Sequence, residues 1–74
     1  MEDMILYDGL DGALVGFTER NGKYIAIYSF DYIITILTEV HGMTFEEAVE
    51  YFEFNIAGGW LGENTPIIQY EIPF

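Results

Sequence analysis

The chain has no cysteine, only two cations and a single histidine among its 74 residues, and each shortage removes a class of answers. Without cysteine there are no disulfides to staple a small fold and no thiolate metal sites. Arg20 and Lys23 are the only bases against thirteen acids, for a formal net charge of −11. So few cations cannot neutralise a phosphate backbone, which excludes direct binding to DNA or RNA and, by the same argument, to an anionic membrane surface. The sole histidine, His41, has one serine, Ser29, and no cysteine as a nucleophilic companion. No apolar run approaches the roughly 20 residues that cross a bilayer. The opening Met1-Glu2-Asp3 has the wrong charge for a secretory signal. The expectation is a cytoplasmic, non-enzymatic protein with no catalytic residues, no metal and no cofactor.

Aromatic residues are abundant: six Tyr, six Phe and one Trp, 18% of the chain. A domain this short buries only about 60% of the surface its unfolded chain exposes, so some of these rings must lie outside. Contiguous apolar surface usually serves a partner or a second copy of the chain, and a twofold dimer is the default expectation. The excess acid favours a partner with a basic surface, with plain solubility as the alternative.

In chain order, residues 1–12 read as an irregular lead-in punctuated by Asp8-Gly9 and Asp11-Gly12, with room for a brief strand at Ile5–Tyr7. The spacing of the two aspartates lacks the ligand rhythm of a calcium loop. Residues 13–28 predict a β-hairpin turning at Asn21-Gly22, because a type I′ turn needs positive φ at both central positions. Arg20 and Lys23 then face each other at its tip. Residues 29–41 predict a helix capped by Ser29 and closed by Gly42. Its polar stripe is Asp31, Thr35, Thr38 and Glu39; Phe30, Ile33, Ile34, Leu37 and Val40 fill the other side.

A second helix is predicted over 44–57. Thr44 and Glu47 form a capping box, Met43 staples onto Ala48, and Phe45, Ala48, Val49, Phe52 and Ile56 make a core-facing seam. Glu46, Glu50 and Glu53 share another face, while Tyr51 and Phe54 lie at the margins of the seam. Gly58 or Gly59 is expected to close the helix in the left-handed conformation. The loop Gly58–Pro66 carries the only tryptophan, Trp60, and leads into a strand over 67–72. The order β-β-α-α-β predicts a single α+β domain, a small antiparallel sheet with both helices packed on one face.

Two stretches, the opening Tyr7–Gly16 (YDGLDGALVG) and the close from Glu50-Tyr51 through Asn55, Gly58, Trp60 and Gly62-Glu63 to Thr65-Pro66, resemble small bacteriophage and prophage proteins that pair a YDGLDxALVG start with an EYxxxNxxGxWxGExTP end. The resemblance implies origin in an infected bacterial cytoplasm and no particular activity.

The leading functional expectation is a phage protein that binds and modulates a bacterial host protein, such as a defence or nucleic-acid-binding complex. Its candidate residues are the acidic face Glu46, Glu50 and Glu53, which Asp31 and Glu39 could extend, and the aromatics Tyr51, Phe54 and Trp60. The alternative is a small-ligand, nucleotide-like module at an oligomer interface, using Trp60, Glu63, Asn64 and Thr65. A third reading gives the loop a structural job, with Trp60 plugging the core, Asn55 bonding loop backbone and Thr65-Pro66 setting the start of the last strand.

Overall fold

In the computed structural model, which describes residues 4–72, Asn21 and Gly22 both take positive φ, 52° and 79°. That is the type I′ geometry that an Asn-Gly pair permits. The turn joins β1 (Leu14–Arg20) to β2 (Lys23–Ser29) as an antiparallel pair with Arg20 opposite Lys23. The register slips between Leu14 and Gly16, a bulge next to the strand's one glycine. No strand forms at Ile5–Tyr7; a single 3₁₀ turn, Asp11–Ala13, leads into β1 instead. The lead-in is held by the Tyr7 amide, which donates to the Tyr28 hydroxyl at 2.8 Å. The Tyr7 and Tyr28 rings lie 5.0 Å apart.

β2 passes without a loop into α1 (Phe30–Glu39). Ser29 makes the switch possible: still extended in its backbone, it accepts the Tyr32 amide on its hydroxyl at 3.2 Å. The helix closes as Gly42 turns to φ 71° and the Met43 amide reaches the Leu37 carbonyl. Val40 was expected on the buried side but stands 73% exposed, because it falls in this closing turn rather than on the helix. α2 (Phe45–Phe52) begins with the expected capping box: the Thr44 amide donates to Glu47 Oε1 and the Glu47 amide to Thr44 Oγ1. Ala48, Phe52 and Ile56 are buried and Val49 partly so, whereas Phe45, at the first helical position, is exposed.

The second helix does not stay α-helical to residue 57. From Glu53 to Ala57 it widens into a π-helical segment. Asn55 supplies a reason, since its side-chain amide donates to the Tyr51 carbonyl at 3.1 Å, the acceptor an α-helix would give to the Asn55 backbone. Asn55 therefore bonds helix backbone and not the loop. Nor is the end a left-handed glycine: Gly58 has φ −83° and Gly59 is not among the positive-φ residues. Gly58 is needed for space instead, as a Cβ there would sit 3.1 Å from the Glu53 carbonyl oxygen.

β3 (Ile67–Gln69) pairs with β2 and completes the sheet order β1-β2-β3. The fold is α+β with two helices, as expected, but the sheet is mixed: β3 runs parallel to β2. Direction follows from where the chain re-enters the sheet. The Asn64 side-chain amide donates to the Tyr24 carbonyl at 3.3 Å, so the loop returns to the start of β2 and β3 must run alongside it. The helix pair supplies the long crossover that a parallel neighbour requires. β3 is also shorter than the predicted 67–72, and Tyr70 leaves the strand to lay its ring 5.1 Å from Phe30 and 6.4 Å from Phe52. One core joins Ala26 and Tyr28 of β2 to Ile33, Ile34, Leu37, Ala48, Phe52 and Ile56 of the helices, with Ile68 of β3 packed against it.

Candidate functional site

The predicted site residues fall into two places. On the outer side of α2 and its π-helical extension, Met43, Glu47, Glu50, Tyr51 and Phe54 line one shallow depression of about 290 Å³. Their spacing of i, i+4, i+7, i+8 and i+11 is that of one helical stripe. Phe54 is 83% exposed and Tyr51 partly so. Glu46 and Glu53 are also exposed but do not line the depression; they flank it. Asp31 and Glu39 are solvent-facing on α1, and Asp31 lines a separate groove with Phe30, Met43 and Phe45.

Tyr51 and Met43 also border a deeper cleft of about 330 Å³. Its apolar floor is Leu10, Leu37 and Ile56, and its polar groups are Tyr7, Asp8, His41, Tyr51 and Asn55. Burial, helped by the neighbouring Tyr28, holds the Tyr7 phenol above its usual 10.0. In the sequence Asp8 marks a turn and His41 ends the first predicted helix, and nothing local brings them together. The cleft has the size of a ligand-binding site and presents one acid and one imidazole above an apolar base, a combination that suits a long basic or polar side chain. Among the described residues, no group of three or more acids and histidines stands close enough to hold a metal ion. No helix is long and apolar enough to cross a membrane among the described residues.

The second place is the Gly58–Pro66 loop. Trp60 does not plug the core; it is 75% exposed. It lines a cleft of about 160 Å³ with Glu63, Thr65, Arg20, Asn21 and Lys23. Asn64 lies outside this lining and spends its amide on Tyr24. The Thr65 hydroxyl is engaged twice, donating to the Gly62 carbonyl at 2.6 Å and accepting the Leu61 amide at 2.8 Å. Pro66 is buried beside it. Thr65 and Pro66 thus shape the loop and set the start of β3. Thr65→Val keeps the volume and removes both bonds; it is expected to lower stability by about 0.5–1.5 kcal/mol and to speed amide exchange at Leu61, read by denaturant titration and hydrogen exchange. No protein-family model, no curated protein and no solved structure matches the chain.

Proposed function

We propose that this is a non-enzymatic bacteriophage protein that binds a bacterial host protein of basic surface and so inhibits a defence or nucleic-acid-binding complex. The observation that carries the reading is Phe54, 83% exposed and set among Tyr51, Glu47 and Glu50 in one depression. An aromatic ring this exposed loses the hydrophobic stabilisation it would gain when covered, and aromatic anchors ringed by charge are the usual makings of a hot spot. The glutamates supply the sign: they attract a basic partner and repel another acidic surface. The adjoining cleft under Asp8, Tyr51 and Asn55 fits a lysine or arginine side chain from that partner. The phage origin rests on the two sequence stretches of the resemblance. Within the same reading the chain is a twofold dimer, supported by the exposed Val15 and Phe17 on β1, whose outer edge is unpaired among the described residues.

The test is capture of the partner from lysate of the infected bacterium, with mass spectrometry of what co-elutes. Replacing Glu46, Glu50 and Glu53 together by lysine is expected to leave the circular dichroism spectrum intact while abolishing capture and its salt sensitivity. Capture that persists unchanged at all salt concentrations would overturn the acidic-face reading.

A further inference from the structure

Both cations of the chain and its only tryptophan meet in one cleft, on a molecule with thirteen acids to spread around its surface. The hairpin register places Arg20 opposite Lys23, with Asn21 between them at the tip. The Asn64–Tyr24 hydrogen bond holds the Gly58–Pro66 loop against that tip and brings Trp60 to the same opening. We propose that this cleft binds a nucleoside monophosphate, its base stacked on Trp60 and its phosphate held by Arg20 and Lys23.

The inventory of polar groups fixes the sign of the ligand. Arg20 offers five N–H donors, Lys23 three and the Asn21 amide two, whereas the Thr65 hydroxyl is already engaged on both sides. Arg20 makes no salt bridge with any described residue. Glu63 is the one opposing group: its carboxylate lies 3.9 Å from Lys23 Nζ on a largely exposed side chain, a weak and screened pair that an incoming phosphate displaces. Trp60 supplies a flat apolar face to stack on, worth about 1–3 kcal/mol per base by truncation.

Size and charge set the rest. At about 160 Å³ the cleft is smaller than an ordinary ligand pocket, so it takes a phosphate and the edge of one base and leaves the sugar in solvent. A polynucleotide is excluded, because one cleft neutralises about one phosphate while the net charge of −11 repels the others. The cleft shares no residue with the depression on α2, so this proposal and the host-protein reading can fail independently.

Because Trp60 is the only tryptophan, its fluorescence reports this cleft without labelling. Titration with AMP at physiological salt is expected to quench it saturably, with adenosine binding about tenfold more weakly and inorganic phosphate displacing AMP only at high concentration. Arg20→Gln is expected to weaken AMP about tenfold or more. Glu63→Gln is the sharper variant: by freeing Lys23 it is expected to tighten AMP severalfold, an effect that a merely structural role for Glu63 would not produce. Trp60→Ala, followed by calorimetry, is expected to lose about tenfold. No saturable quenching up to about 5 mM AMP, the weak end of specific small-ligand binding, overturns the proposal. So does adenosine binding as tightly as AMP, or AMP affinity unmoved by Arg20→Gln or reduced by Glu63→Gln.

Discussion

Phe52→Ala is expected to destabilise the protein by about 3–5 kcal/mol, the cost of emptying a fully packed aromatic site. Phe52 is the residue on which three separate parts of the chain converge. Its ring meets Phe30 of α1 edge-on at 4.9 Å and Tyr70, beyond β3, edge-on at 6.4 Å, and it is buried with Ala48 and Ile56 in the common core. A domain of this size has only about 4–11 kcal/mol in total, so the substitution takes about a quarter of it or more. Urea unfolding followed by far-ultraviolet circular dichroism reads the loss directly. Phe52→Leu, which retains most of the volume, is expected to lose about half as much. A loss for Phe52→Ala below about 1.5 kcal/mol would mean that Phe30 and Tyr70 collapse into the space, and that the rings are not a fixed cluster.

What the sequence made legible was chemistry confined to a few neighbouring residues. Asn21-Gly22 specifies its turn because Asn tolerates a positive φ and Gly, lacking a Cβ, takes the second without strain. Ser29, Thr44 with Glu47, and Gly42 mark helix ends for equally local reasons. The direction of β3 was not legible, since it depends on a hydrogen bond between Asn64 and Tyr24, forty residues apart. The widening after Phe52 was hidden in the same stretch that periodicity reads as plain helix: the competitor for the Tyr51 carbonyl is a side chain, not a breaker residue.

The candidate surfaces divide on the same principle. The glutamate face of α2 can be read from spacing, but the depression lies one step around the helix, on Met43, Glu47, Glu50, Tyr51 and Phe54. Glu47 and Met43 already have local parts in the capping box and the staple, so the sequence gives no separate sign that they also line this depression. The cleft of Asp8, His41 and Asn55 and that of Arg20, Lys23 and Trp60 are each assembled from distant segments. Neither leaves a spacing in the sequence. For Trp60 the sequence leaves three readings open, a partner anchor, a stacking ring or a core plug, and only its 75% exposure removes the last.

Phe54→Ala should weaken the proposed host-protein complex by about 2 kcal/mol, roughly thirtyfold, without changing the stability of the free protein by more than about 0.5 kcal/mol. The two halves of that expectation have one cause. At 83% exposure the ring contributes little to the fold, so its removal costs little there, while a bound partner covers it and gains the full burial of a phenylalanine. The kinetics distinguish it from its acidic neighbours. Apolar anchoring resists separation, so Phe54→Ala is expected to act on dissociation; Glu50→Lys alters the field that guides encounter, so it is expected to slow association and flatten its dependence on salt. Surface-plasmon measurement of both single variants and the double variant against the captured partner separates these effects. Phe54 lies four residues beyond Glu50 and both line one depression, so the double variant should deviate from additivity by at least about 0.5 kcal/mol. Strict additivity would mean that the two side chains act independently, whereas a Phe54→Ala variant that binds like the parent would place the interface elsewhere on the molecule. The exposed apolar pair of β1 is then the next surface to mutate, because Val15 and Phe17 lie on an edge strand of the sheet among the described residues.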